Sequence, residues 1–151
     1  MTTNDKIVAA ALANELRQVA ALLDEDPELV NAADSADVTL LHAAARDGNL
    51  RLATLLINRG ADMDAVDREH RASPLNWASY FGRPAIVELL LDAGADPHQK
   101  NAHGLVPRQC AEHGKAGHWK AAAPHASPAD YQSILDCLDR NCDECATESG
   151  F

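Results

Sequence analysis

An all-α repeat solenoid is the fold this 151-residue sequence predicts, and three observations carry the prediction. The stretch Thr39-Leu40-Leu41-His42-Ala43-Ala44-Ala45-Arg46-Asp47-Gly48 is matched 34 residues later by Ser73-Pro74-Leu75-Asn76-Trp77-Ala78-Ser79-Tyr80-Phe81-Gly82. Twelve residues past each closing glycine stands the same triplet, Gly60-Ala61-Asp62 and then Gly94-Ala95-Asp96. A third copy opens at Val106-Pro107-Arg108-Gln109-Cys110-Ala111, introduced by Asn101-Ala102-His103-Gly104. Units of this length hold a turn and two helices, cannot bury an apolar face alone, and must stack on one another.

The elements follow in chain order. Residues 5–23 form an alanine-rich amphipathic helical stretch with Leu12, Leu16, Val19, Leu22 and Leu23 on one side. Asp24-Glu25-Asp26-Pro27 ends it, and Leu29-Val30-Asn31-Ala32 is read as an exit turn, which makes residues 1–33 a degenerate capping unit, a helix pair without the full signal of the later copies. Thr39 and Ser73 are good N-caps, and Pro74 falls at the first helical position, where its missing N–H costs nothing. Gly48 and Gly82 stop those short helices as left-handed caps. The helices that follow, residues 50–59 and 84–93, carry Leu52, Leu55, Leu56 and Ile86, Leu89, Leu90 at i, i+3, i+4 spacing, one buried stripe each. Gly60 and Gly94 end them. Ser127-Pro128-Ala129-Asp130 is a further helix start. The helix it opens, residues 129–138, presents Tyr131, Ile134, Leu135 and Leu138, enough to close the stack.

These residues resemble the ankyrin repeat, whose pattern runs approximately D-x-x-G-x-T-P-L-H-x-A-A-x-x-G, a second apolar helix, then G-A-D. The first full copy matches at Asp34, Thr39, Leu41, His42, Ala44, Ala45, Gly48, Leu52, Leu55, Leu56, Gly60, Ala61 and Asp62. The second matches at Asp67, Ser73, Pro74, Leu75, Ala78, Gly82, Ile86, Val87, Leu89, Leu90, Gly94, Ala95 and Asp96. The resemblance covers residues 34–114 with degenerate flanking units. It implies about four to five stacked helix-turn-helix units with β-turn fingers: a single domain over 1–140, divided at 33, 66 and 99. The last unit, 100–140, carries an insertion at 115–127, and 141–151 is a polar tail. His42 matches the pattern's own histidine, which in that family stabilises the turn.

Composition bounds the function. No apolar run near 18 residues and no basic-then-apolar leader occurs, so a cytoplasmic protein without a membrane span is expected. A formal net charge of −10 argues against nucleic-acid binding and favours a protein partner with a basic surface, although acidity also serves solubility. A monomer is expected. The resemblance implies a concave groove lined by the turn tips and first helices, and so an interaction module of adaptor or inhibitor type. Its variable places are Ser35, Ala36, Val38, Arg46 and Asp47, then Arg68, Glu69, His70, Arg71, Tyr80 and Phe81, then Ala102, His103, Leu105 and His113.

Tyr80 and Phe81 stand out, because aromatic residues make up only 4% of the chain and paired exposed aromatics are the usual substance of a binding hot spot. The alternative is that Phe81 leans against the neighbouring unit and merely fills space. Trp77 is assigned to packing. Arg68 to Arg71 form a charged tip one residue longer than its counterparts; it is either a solvated turn or a contact. His70 and His103 hold equivalent places on adjacent fingers, roughly 10 Å apart as packed helices stand, too far to share a metal without distortion.

Other chemistry has less support. Cys142-Asp143-Glu144-Cys145 is a lone C-x-x-C in a polar tail; Cys137, His113, His118 and His125 are further ligand candidates, but no second pair stands at matching spacing, so no metal is expected. Cys110 reads as a small core hydrophobe. No phosphate loop, nucleophile elbow or H-E-x-x-H motif is present, so neither enzymatic activity nor a cofactor is expected. The alternative function is a small-molecule-binding protein or His-based acid–base enzyme, with His113, His118, Trp119 and His125 walling a pocket beside Tyr80, Phe81 and Glu112.

Overall fold

The computed structural model describes residues 2–117 and 126–141. Among these, eight α-helices form: α1 Thr3–Leu12, α2 Leu16–Glu25, α3 Leu40–Asp47, α4 Leu50–Asn58, α5 Pro74–Tyr80, α6 Pro84–Asp92, α7 Pro107–Lys115 and α8 Pro128–Arg140. A 3₁₀ turn spans Pro27–Asn31. The helices pair as α1/α2, α3/α4, α5/α6 and α7/α8; α3, α5 and α7 pack in succession as an inner layer, and α4, α6 and α8 as an outer one. The fold is the all-α solenoid that the repeat predicts.

Local chemistry sets the helix ends. Thr39 and Ser73 side chains accept from the N–H groups of His42 and Asn76, and Ser127 caps α8 in a reciprocal box with Asp130. Val106 has no cap to offer, and Gln109 Oε1 instead accepts from the Val106 N–H at 3.1 Å. The 5–23 stretch is the helix pair read from sequence, divided at Asn14, whose backbone is left-handed with φ 59°. Asn tolerates that region and does here what Gly48 does one unit later. The break takes Leu12 off the buried stripe where sequence placed it, and leaves it 60% exposed.

Small residues decide how closely the inner helices approach. Ala10, Ala44, Ala78 and Ala111 recur at the same register in α1, α3, α5 and α7, and every one is buried. Larger side chains fill the space between layers: Ile7, Leu41 and Leu75 from the inner helices, Leu56, Ile86, Leu90 and Ile134 from the outer ones. Ser79 occupies the place that Ala11 and Ala45 hold in the preceding units. Its Oγ is fully enclosed and has no hydrogen-bond partner among the described residues.

Between units, three fingers project from the inner-helix starts. Each is built on one carboxylate or amide. Asp34 Oδ1 accepts from the N–H groups of Ala36 and Val38, Asn101 Oδ1 from His103 and Leu105, and the Asp67 carboxylate from His70 and Ala72. Arg68 N–H donates to the Ala36 carbonyl at 2.8 Å, and Ala102 N–H to the His70 carbonyl at 2.7 Å, so adjacent fingers are tied at corresponding backbone positions. The extra residue in the middle finger is absorbed in its turn: the closing bond runs four residues, Arg71 N–H to Asp67 carbonyl, where the others run three. Each turn carries one left-handed residue: Asp37 (φ 59°), Arg71 (φ 48°) and Gly104 (φ 73°). For an arginine that backbone costs about 1 kcal/mol or more.

The last described helix, α8, packs on α6 and α7. Tyr131 is inserted against Gly82 and Gly114, and its hydroxyl donates to the Tyr80 carbonyl at 2.9 Å. One unit earlier Arg83 does the equivalent work, lying against Gly48 with Nε donating to the Arg46 carbonyl at 3.1 Å. A β-carbon on Gly114 would stand 2.5 Å from both Tyr131 Cε1 and the Tyr80 carbonyl oxygen.

Two stability outcomes follow. Gly114→Ala, which helix propensity alone would make favourable, destabilises by about 1–3 kcal/mol through overpacking, read as a lower midpoint in urea unfolding. Ser79→Ala removes a buried unpaired hydroxyl at constant shape and stabilises by about 1 kcal/mol; an unchanged or lower midpoint would show that the hydroxyl finds a partner in solution.

Candidate protein-binding surface

The residues singled out from sequence fall into two groups, one at the ends of the inner helices and one on the finger tips. Leu12, Arg46, Tyr80 and His113 share one register at the C-terminal ends of α1, α3, α5 and α7, with Asp47 and Phe81 the next residues along in the middle two. Arg46 Nε and Asp47 Oδ1 pair at 2.9 Å, both partly exposed. His113 is exposed. Leu12 was missed as a surface residue, although the 34-residue spacing that relates Arg46 to Tyr80 leads back to it.

Tyr80 and Phe81 are each half-buried, not fully displayed. Their rings meet edge to face at 5.3 Å, Phe81 lies 5.8 Å from Trp77, and Trp77 stands edge-on to His42 at 5.1 Å. Phe81 therefore packs on ring neighbours of its own unit while keeping part of its surface open. Burial, with the charges of Tyr131 and Cys110 behind it, pushes the Tyr80 hydroxyl up to about 12, so it stays a neutral donor. Trp77 is half-buried against the core and its Nε1 donates to Asp67 Oδ1 at 3.3 Å, which ties the aromatic group to the base of the middle finger.

Asp67 is the hinge of that arrangement. Burial opposes its ionisation, but hydrogen bonds from the His70 and Ala72 N–H groups and from Trp77 outweigh it and hold the carboxyl below its ordinary range. On the tip above, Arg68 Nε bonds Asp37 Oδ2 of the preceding finger at 3.1 Å. His70 Nδ1 lies 3.3 Å from Asp67 Oδ2, and Glu69 Oε1 is 3.9 Å from His70 Nε2. Arg71 is exposed. The His70 and His103 rings stand 6.4 Å apart, closer than the helix spacing led sequence reasoning to expect, because the hydrogen bond from Ala102 to His70 draws the tips together. Among the described residues no three His, Cys, Asp or Glu side chains are grouped to hold a metal.

His42 is structural. It is fully buried; Nδ1 accepts from Thr39 N–H at 3.2 Å and lies 2.8 Å from Thr39 Oγ1, so the proton sits on Nε2, which faces the Ala72 carbonyl at 2.8 Å. The ring thus joins the α3 cap to the next finger. Cys110 is buried with its thiol pushed up to about 12 by burial, as a core hydrophobe should be. His118, Trp119, His125, Cys142 and Cys145 lie outside the described residues.

A family model described as ankyrin repeats, three copies, matches residues 7–101. The chain belongs to the ankyrin-repeat family. It is 44% identical over 75 residues to the palmitoyltransferase Hip14 of Drosophila melanogaster, covering 50% of this chain and 12% of that protein. It is 38% identical over 105 residues to the E3 ubiquitin-protein ligase Ufd4 of the same fly, 69% of this chain and 4% of that one. The mouse ankyrin repeat and SAM domain-containing protein 6 is 42% identical over 85 residues, 56% of this chain and 10% of that one. The chain thus corresponds to a small part of each of these relatives, in the manner of a repeat segment. Ankyrin repeats are a general protein–protein interaction module, and no described helix of this one is long and apolar enough to cross a membrane.

Burial dominates the shift at His42 and lowers its pKa, with the Ala72 bond and the charges of Asp67 and Asp34 opposing. The folded state therefore binds fewer protons than the unfolded chain once pH falls below about 6.5. Stability at His42 is present in full above that pH and is lost as pH drops through the lowered folded value. A His42→Asn variant, copying Asn76 of the next unit, shows a shallower fall in unfolding free energy between pH 7 and 5 than the wild type.

Proposed function

We propose that this ankyrin repeat is a non-catalytic module that captures a protein partner on its concave side, acting as adaptor or inhibitor, as a monomer in the cytoplasm. The domain is taken as residues 1–140, with units dividing at 33, 66 and 99. The observation that carries the reading is the half-exposed aromatic group Trp77, Phe81 and Tyr80, set in the row of Leu12, Arg46 and His113. Rigid aromatics held by a packed scaffold give contact area at little cost in rotamer entropy. Arg46, Asp47, Arg68, Glu69, His70, Arg71 and His103 supply the polar surround.

The net charge bears on the partner in a more limited way. Asp24, Glu25, Glu88, Asp92, Asp136 and Asp139 lie on the second helices of their pairs, α2, α6 and α8, so a partner's basic surface would be drawn to that face, while the inner row and tips carry both signs. Native mass spectrometry of the tagged chain, purified gently from its own host, tests the proposal. A stoichiometric polypeptide should co-purify with the wild type. It should be lost from a Tyr80→Ala, Phe81→Ala double variant, whose binding is expected to fall by at least about 30-fold on removal of a hot spot. Retention by a variant that still unfolds cooperatively would exclude these aromatics as the contact.

A further inference from the structure

Departures from the repeat are concentrated in one unit. The middle finger alone has the extra residue, and the helix behind it alone carries Trp77, Tyr80 and Phe81. At the left-handed position of the three turns, Asp37 and Gly104 are residue types that accept the conformation, and Arg71 is not. The turn asks for a left-handed residue here, and Arg71 N–H closes it on the Asp67 carbonyl, but the side chain returns nothing for the strain: Arg71 is exposed, and among the described residues its guanidinium has no carboxylate or carbonyl partner. Arg68, three residues earlier, is engaged with Asp37. Strain of this kind persists where a side chain must be presented in a set direction.

We propose that the tip of the middle finger reads a carboxylate on the partner, with Arg71 as the principal contact and the His70 and His103 rings beside it. The deduction rests on the concave-side binding proposed above and adds the chemistry of the bound segment: an acidic residue at the finger, followed by an apolar one on Phe81 and Tyr80. The tip is held ready for this. Asp67 fixes the His70 and Ala72 N–H groups, and the bond from Ala102 N–H to the His70 carbonyl locks the neighbouring finger at 2.7 Å. A planar guanidinium on such a support can meet a carboxylate through two parallel N–H bonds, a geometry that lysine cannot copy. The opposing charges at the tip are already placed: Asp37 is on Arg68, and Glu69 lies on the His70 side.

The test uses the full chain, immobilised, and a random 12-residue peptide display library. Enriched peptides are then synthesised in their native form and with Asp and Glu replaced by Asn and Gln, and titrated by fluorescence anisotropy. The expected result is enrichment of an acidic residue near an apolar one. The Arg71→Gly variant then binds the acidic peptide about tenfold more weakly and the amide peptide no differently, while its melting temperature rises by about 2–4 °C as the strain is relieved. The thermal gain separates lost recognition from lost fold. Enrichment of acid-free or Lys- and Arg-rich peptides that Phe81→Ala abolishes would overturn the carboxylate reading and leave concave-side binding standing. Acidic peptides lost with Arg71→Gly but indifferent to Phe81→Ala would uphold the tip and remove the aromatic contact. No enrichment on the wild type would overturn both.

Discussion

The close approach of the inner helices is the constraint on which the rest of this structure depends. A row of buried alanines, Ala10, Ala44, Ala78 and Ala111, lets successive backbones meet without a side chain between them. Interaxial distance follows directly from side-chain size at the contact. The finger ties require that spacing, because a hydrogen bond of 2.8 Å from Arg68 to Ala36 tolerates little change in the separation of two units. The buried His42 bridge to Ala72 depends on it too, since one imidazole must reach from the cap of α3 to the carbonyl closing the next finger. Ser79, in the adjacent row with Ala11 and Ala45, shows that such places select for volume before chemistry: serine is small enough to fit, and among the described residues its hydroxyl is left unpaired.

The same spacing gives the helix ends their partners. A short helix leaves several carbonyls unsatisfied at its C-terminus, and here the neighbouring unit supplies a donor to one of them. Arg83 reaches Arg46, and Tyr131 reaches Tyr80, in each case across a glycine that clears the path. Two chemically unlike side chains thus perform one task at corresponding places. The charged one also suits the negative end of the helix dipole, whereas the phenol brings an apolar ring that seals the last interface. That explains how α8 packs on the unit before it although it lacks the repeat pattern.

Most of the architecture was legible because solenoid contacts are local in register: Leu41 and Leu75, or Leu56 and Leu90, announce themselves at a fixed interval and their burial follows. The N-terminal helix pair was legible but the place of its break was not, although Asn14 stands 34 residues before Gly48 and asparagine accepts the left-handed backbone. With the break unseen, Leu12 was counted into a continuous apolar stripe. The role of Tyr131 was half visible, as an apolar residue on a closing helix; its hydroxyl's target is a backbone atom 51 residues away, for which side-chain spacing has no signal. The approach of His70 to His103 was misjudged for a related reason, since helix spacing says nothing about loops joined by their own hydrogen bonds.

Independence between units explains why departures from pattern are informative in this fold. Each unit touches only its neighbours, so a residue that violates the repeat is answerable to a small environment. Trp77 passes that check, because it packs on His42 and bonds to Asp67. Phe81 passes in part, through Trp77 and Tyr80. Arg71 does not pass: it adopts a backbone suited to glycine or asparagine, and while its N–H closes the turn on Asp67, its guanidinium gains no partner among the described residues. Where repacking, capping and ion pairing have each been given their share, a residue that costs stability and returns none within its own unit directs attention outward, to whatever the surface meets.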